Sequence, residues 1–334
     1  MAPPVGAAHA RILGIGAYRP ERVITNEEVC TWIESSDEWI RERSGIVERR
    51  WARPDESVVD MSLAASLEAL QRAGVAPADV DAVICATVTW PYATPSAAAV
   101  LTERLGATPA AAFDVSAACA GFCHAVALAN DMVRGGSARH VLVVGVEKLS
   151  DWTDRHDRGT AFLFGDGAGA VLVGPSDRPG IGPTVWGSDG AQWEVISQRT
   201  AWTDMRSEDG ARVDGEWPAL VMAGQTVFRW AVWQMAPVAQ KALDAAGVSI
   251  DDVDVFVPHQ ANVRIIDAMV KQLGLPAHVP VARDIVTSGN TSSASVPLAL
   301  HRLVDEGVAR SGDLALLIGF GAGLVYAAQV VEVP

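Results

Sequence analysis

The chain has 334 residues, more than one hydrophobic core ordinarily holds, and 49% of them are apolar, so two domains or two fused halves are expected. A formal charge of −14, with Lys and Arg scattered rather than clustered, argues against nucleic acid as a partner. No run of about 18 apolar residues could span a membrane, Met1-Ala2-Pro3-Pro4 does not open a signal peptide, and Cys30, Cys85, Cys119 and Cys123 lack zinc-site or disulfide-framework spacing; a cytoplasmic enzyme is expected.

In chain order, Gly14-Ile15-Gly16 comes first and lacks the spacing of a nucleotide loop, so it reads as a site of close backbone packing. Residues 69–85, ALQRAGVAPADVDAVIC, then give the end of an amphipathic helix, a stop at Gly74, a short turn and an apolar strand. Asp114-Val115-Ser116-Ala117-Ala118-Cys119-Ala120-Gly121-Phe122 delivers a thiol at a helix start, and Phe122, Val126 and Val133 form that helix's buried face. An apolar strand follows over 139–145, and Gly165-Asp166-Gly167-Ala168-Gly169 again suits close packing. Residues 242–258, ALDAAGVSIDDVDVFVP, match 69–85 without gaps at eight of seventeen positions, an offset of 173 (242 minus 69). Leu314-Ala315-Leu316-Leu317-Ile318-Gly319 likewise echoes 139–145. Strands apolar on both faces suggest sheets covered on either side by helices. The repeat therefore predicts two similar α/β halves, residues 1–180 and 181–334, with a site between them.

Three polar groups arise at element ends within this frame. Cys119 is expected to gain thiolate character from unpaired N–H groups at a helix start, whereas Cys30, Cys85 and Cys123 read as packing. His259 follows Val255-Phe256-Val257-Pro258 at the carboxyl end of a strand, where open α/β sheets bind ligands. Asn290 precedes Thr291-Ser292-Ser293-Ala294-Ser295-Val296-Pro297, a helix start by its small hydroxyls and early proline. Each alone has an ordinary structural reading. Together they suggest thioester chemistry through a covalent acyl-enzyme.

These segments, with Ser36-Asp37-Glu38-Trp39-Ile40, Arg43-Ser44-Gly45-Ile46, Asp157-Arg158-Gly159-Thr160, Phe164-Gly165-Asp166-Gly167-Ala168-Gly169-Ala170 and Gly319-Phe320-Gly321-Ala322-Gly323, make the chain similar to the β-ketoacyl-acyl-carrier-protein synthase III family of the thiolase superfamily. The likeness runs from about residue 11 to the end. It implies a thiolase-like fold, two duplicated α/β halves in a five-layer αβαβα arrangement, acting as a homodimer without a cofactor or metal.

The resemblance further implies decarboxylative condensation of an acyl-CoA primer with malonyl-acyl carrier protein. Cys119 would be the nucleophile, with the backbone N–H groups of Cys119 and Ala322 at the oxyanion, and His259 and Asn290 would stabilise the enolate. Many family members carry Gly where Ala322 stands. Thiolases use a second cysteine and elongating synthases a second histidine, so Asn290 points away from both; transfer to a hydroxyl or amine on the same fold is the alternative, and a non-catalytic partner subunit is a third. Trp39 and Arg158 match the pair that sandwiches the adenine of CoA, with Arg43 near its phosphates. Arg229, Arg264 and Lys271 match carrier-docking positions. By the same resemblance Thr94, from the partner subunit, and Phe320 would bound the primer pocket. Thr where some relatives have Phe suggests longer or branched primers.

Overall fold

In the computed structural model, residues 5–207 and 217–334 are described. The Trp-rich stretch from Ala191 to Trp217, which matches the family weakly, therefore lies partly outside the described residues.

The first sheet is built from β1 (His9–Tyr18), β2 (Ala82–Ala86), β3 (Ala111–Val115), β4 (Val141–Lys148) and β5 (Asp166–Ser176), in the spatial order β1-β5-β4-β2-β3. The second uses β6 (Val185–Ser188), β7 (Val255–Pro258), β8 (Leu314–Gly321) and β9 (Val325–Glu332), in the order β7-β8-β9-β6. The repeat is visible in the pairing. β2 runs parallel to β4 and β7 parallel to β8, while the following strand, β5 or β9, returns antiparallel. Residues 149–165 join the first hairpin and Ala322–Leu324 the second, so the first half carries the larger insertion.

Side-chain alternation along these strands generates the layers. Val83, Cys85, Leu142 and Val144 face outward onto α1 (Val58–Ala73) and α2 (Ala97–Leu105). Ile84, Val143 and Val171 face inward, as do Val257, Leu317 and Val331 of the second sheet, and between them lie α3 (Gly121–Gly135) and a second central helix. On the far side Phe256, Leu316 and Ile318 pack on α4 (Gly224–Ala246) and the helix over Val263–Leu273. The second central helix, α5, spans Ser295–Asp305. The order is αβαβα, in five layers.

Local chemistry sets the element ends. Ser57 and Asp60 form a reciprocal capping box at the start of α1. Gly74 and Gly247 end their helices in the left-handed region, at φ 66° and 67°, where a Cβ would be strained. The early glycines pack closely, as their spacing suggested: a Cβ at Gly14 or Gly16 would lie 2.4 or 2.2 Å from a carbonyl oxygen of α1.

Candidate active site

Both central helices point their amino ends at one place. Each is preceded by a short 3-10 turn, Ala118–Ala120 before α3 and Ser292–Ala294 before α5. Among the described residues, the non-glycine positions with positive φ are Ala118 at 44° and Ser292 at 47°, the first residue of each turn. Such a conformation costs about 1–3 kcal/mol and persists where the surroundings hold it. Cys119 stands just beyond one of these residues and Asn290 two residues before the other.

Cys119, His259 and Asn290 line a single cavity of about 800 Å³ together with Ser292, Phe320 and Ala322. His259 extends β7, its N–H donating to the carbonyl of Ile318 at 2.7 Å. Its Nδ1 lies 2.6 Å from Ser295 Oγ, which also accepts from the Gln260 N–H at 3.4 Å. With the Ser295 hydroxyl as donor to Nδ1, the neutral ring carries its proton on Nε2, where it can donate into the cavity. Burial pushes the imidazole pKa down to about 3, so the ring is neutral. Phe320 stands edge-on to it at 5.2 Å.

Asn290 is held by the other half of the molecule. Its N–H donates to Leu163 at 2.8 Å and its carbonyl accepts from Gly165 at 3.0 Å. The carboxamide oxygen accepts from the Ser292 N–H at 2.9 Å, which fixes the amide's orientation and leaves its NH2 end for the cavity.

Cys119 departs from the sequence expectation in one respect. The α-helix begins at Gly121 rather than at the cysteine, and the thiol is not acidified: burial pushes its pKa up to about 12, a hydrogen bond from Ser292 opposes that, and the nearby Glu147 charge adds to it. Desolvation outweighs the helix end here. Cys85 and Cys123 are buried and Cys30 partly so.

β8 crosses directly over Cys119. A Cβ at Gly321 would lie 2.9 Å from Cys119 Cβ and 3.0 Å from its Sγ. Gly321→Ala is therefore expected to displace the sulfur and slow acyl-enzyme formation about 100-fold, since a shift of order 1 Å costs that much. Rapid-quench intact-mass measurement checks this.

At the cavity mouth the Trp39 ring carries the Arg158 guanidinium at 4.8 Å and that of Arg43 at 5.8 Å from its centroid, and packs edge-on against Phe162. Trp39, Arg43, Arg229 and Arg264 all line the cavity, and Arg264 lies 5.0 Å over Phe228. Two expected positions are not brought to it within one chain. Thr94 is exposed outside the cavity lining, and Lys271 is exposed on its helix beyond the mouth. Gln272, beside it, donates to the Val232 carbonyl at 2.7 Å. Elsewhere Glu68, His301 and Asp305 cluster with metal-ligand geometry, but the Arg72 guanidinium already bridges Glu68 and Asp305 at 2.6 and 2.5 Å.

Sequence reading missed Glu147, Ser292 and Ser295. The available signal was Glu147 itself, a lone carboxylate closing the apolar run Val141-Leu142-Val143-Val144-Gly145-Val146.

A duplicated αβαβα frame with a thiol at the start of one central helix is the architecture of thiolase-like acyl-transferring enzymes. Comparison with known proteins narrows the class. Residues 113–190 match the family profile described as 3-Oxoacyl-[acyl-carrier-protein (ACP)] synthase III, and 243–333 match its C-terminal counterpart. The β-ketoacyl-[acyl-carrier-protein] synthase III 1 of Streptomyces coelicolor is 60% identical, over 99% of this chain and 98% of the relative. The mycobacterial β-ketoacyl-[acyl-carrier-protein] synthase III of Mycobacterium marinum is 51% identical over 98% and 97%. Among solved structures, the priming β-ketosynthase from the R1128 polyketide biosynthetic pathway superposes with a TM-score of 0.95 at 51% identity, covering 100% of this chain and 98% of that one. The chain belongs to the β-ketoacyl-acyl-carrier-protein synthase III family of condensing enzymes.

Proposed function

We propose that this enzyme condenses an acyl-CoA primer with malonyl-acyl carrier protein, through an acyl-Cys119 intermediate, to give 3-oxoacyl-acyl carrier protein. The observation that carries the reading is the shared cavity: Cys119, His259 and Asn290 line it together with Trp39, whose ring has the Arg158 and Arg43 guanidinium groups over it. Cys119 attacks the primer thioester, and the N–H groups of Cys119 and Ala322 receive the oxyanion. CoA leaves. Malonyl thioester then loses carbon dioxide, and Nε2–H of His259 with the Asn290 NH2 takes up the charge on the enolate oxygen. The enolate attacks the acyl-cysteine carbonyl and expels the Cys119 thiolate.

Arg158, Trp39 and Arg43 suit the adenine and phosphates of CoA. Arg229 and Arg264, exposed beside the cavity, suit an acidic carrier, and because the enzyme is itself acidic at −14 that docking weakens with salt; Lys271 extends the same face. An open sheet edge at β3, with Phe113 37% exposed, supports reading the enzyme as a homodimer. In such a dimer Thr94 would bound the partner's primer pocket together with Phe320, and its small side chain leaves space for four- to eight-carbon or branched primers. Residues 1–180 and 181–334 are read as the two halves. No helix among the described residues is long and apolar enough to cross a membrane, and a cytoplasmic location suits CoA substrates.

Incubation of enzyme, labelled malonyl-acyl carrier protein and a panel of acyl-CoAs tests the reading. Carbon dioxide release with formation of 3-oxoacyl product is expected, with four- to eight-carbon primers preferred over acetyl-CoA. Transfer without decarboxylation, to a hydroxyl or amine, would replace condensation by simple acyl transfer. The route served, fatty-acid or polyketide, is set by which carrier protein supports turnover; the likeness to a polyketide priming ketosynthase makes the second a direct comparison.

A further inference from the structure

Residues 32–39 and 155–158 are joined twice by the same two residue types. Arg158 lies over Trp39 at the cavity mouth, and Arg155, three residues earlier, lies over Trp32, seven residues before Trp39. The Arg155 guanidinium stands 5.1 Å from the Trp32 centroid and 5.0 Å from that of Trp51, and these two rings are stacked 5.2 Å apart at an interplanar angle of 21°. The three centres make a nearly equilateral triangle, so one cation covers both rings. None of these three residues lines the cavity.

The aromatic side of this second contact is fixed. Trp51 is 1% exposed, closes the strand Glu48–Trp51 and donates its Nε1–H to the Phe164 carbonyl at 3.0 Å, and Trp32 packs half-buried on the same apolar cluster. The cationic side is braced within its own segment. Asp154 accepts from the His156 N–H at 2.9 Å, while the Asp157 carboxylate accepts from the Gly159 N–H at 2.8 Å and the Thr160 hydroxyl at 2.7 Å. The Asp157 carbonyl takes the N–H groups of Thr160 and Ala161 at 3.1 and 2.9 Å. Where Arg155 is seated therefore decides where the backbone of Arg158 stands.

The contact at the mouth has to change when a base enters. A planar ring needs about 3.5 Å to each neighbouring face, about 7 Å in all, and the Arg158 guanidinium now lies 4.8 Å from the Trp39 centroid. Arg158 must withdraw by about 2 Å. It is exposed and has no ion pair among the described residues, so its long side chain supplies the movement, provided the backbone beneath it stays in register.

We propose that Arg155, seated on Trp32 and Trp51, is a positioning residue for acyl-CoA: it anchors segment 154–160 while Arg158 opens for the adenine and closes on it. Arg155 itself touches no substrate. The inference rests on the reading that Trp39 and Arg158 hold the adenine, and it names what presets that pair.

The test is acyl-enzyme formation, read by rapid-quench intact mass against concentration, with butyryl-CoA and with butyryl-pantetheine, which carries the same thioester without the nucleotide. Arg155→Ala is expected to raise the half-saturating concentration of butyryl-CoA about 10-fold at an unchanged saturating rate, because an unanchored segment is in register in fewer molecules and apparent affinity falls by that fraction. Ten-fold is about 1.4 kcal/mol, within the range of a partly desolvated cation–π contact. Neither constant is expected to change with butyryl-pantetheine. Arg155→Lys, which keeps a cation over the rings, is expected to recover most of the affinity. Trp32→Leu is expected to reproduce the Arg155→Ala loss, and the two changes together to be no worse than either alone, as residues acting as one unit behave. Loss of a charge near the CoA phosphates would instead leave Trp32→Leu at full affinity.

An unchanged half-saturating concentration for butyryl-CoA in Arg155→Ala, an equal loss with butyryl-pantetheine, or full affinity in Trp32→Leu would overturn the anchor. A preference for butyryl-CoA that Trp39→Ala abolishes and Arg155→Ala keeps would remove the anchor alone and leave the adenine reading standing. If the unmodified enzyme used both donors equally, the adenine reading would fail and the anchor with it. Arg155 is exposed, so its replacement opens no void; if Trp32→Leu does not fold, Arg155→Ala against Arg155→Lys decides.

Discussion

Cys119→Ala is expected to abolish acyl-enzyme formation and lower condensation by at least about 1,000-fold, because covalent capture of the primer has no second route. The other cysteines cannot substitute. Cys85 and Cys123 are buried outside the cavity lining, and Cys30 belongs to the packing around Trp32 and Trp51. The fold itself is expected to survive with a change within about 1 kcal/mol, since the side chain faces the cavity and its removal opens no sealed void. Decarboxylation of malonyl-acyl carrier protein is expected to persist, because the groups that face the enolate oxygen come from β7 and the turn before α5. Intact mass spectrometry after exposure to acyl-CoA, alongside carbon dioxide release, reads both. A retained covalent adduct would assign a different nucleophile.

His259→Ala is expected to give the reciprocal pattern, with acyl-enzyme formation largely kept and carbon dioxide release slowed by about 100- to 1,000-fold, the cost of one donor at a developing oxyanion. The pH dependence carries a further test. A ring held at a pKa of about 3 is neutral throughout pH 6–8, so its contribution to decarboxylation is expected to be flat there. A bell-shaped limb near 6.5 that vanishes in His259→Ala would show that the ring titrates in the working enzyme. Linkage works in the same sense: unfolded histidine titrates near 6.5, so the stability tied to this burial is complete above that pH and is lost as pH falls towards 3.

Much of this was legible in the sequence because it depends on periodicity and on glycine. The match of 69–85 to 242–258 exposes the duplicated helix-to-strand unit, and Gly74 and Gly247 stop their helices as glycines at positive φ do. The strand runs at Val141 and Leu314 are apolar on both faces since each sheet is sandwiched. What remained hidden is what short-range pattern cannot encode. Glu147 meets Ser292 and Ser293 across the two halves, far apart in the chain, and Ser295 reaches His259 from another element. The resting state of Cys119 was misjudged for the same reason: its place before a helix is written in the sequence, whereas the depth of protein around the sulfur exists only after folding. Thr94 and Lys271 mark a different boundary, positions whose use depends on a second molecule.

Ala118 and Ser292, left-handed at the first position of matching 3-10 turns, give the molecule a pair of similar crests, one in each half, ahead of the two central helices. Identical crests would make identical half-sites, and a symmetric pocket is poorly suited to a reaction whose two ends differ in polarity. Here one crest presents an electron-rich atom just after its bend and the other a hydrogen-bond donor just before it. A near-symmetric scaffold is thereby polarised by the choice of a few side chains, while the backbone that aims them stays the same on both sides.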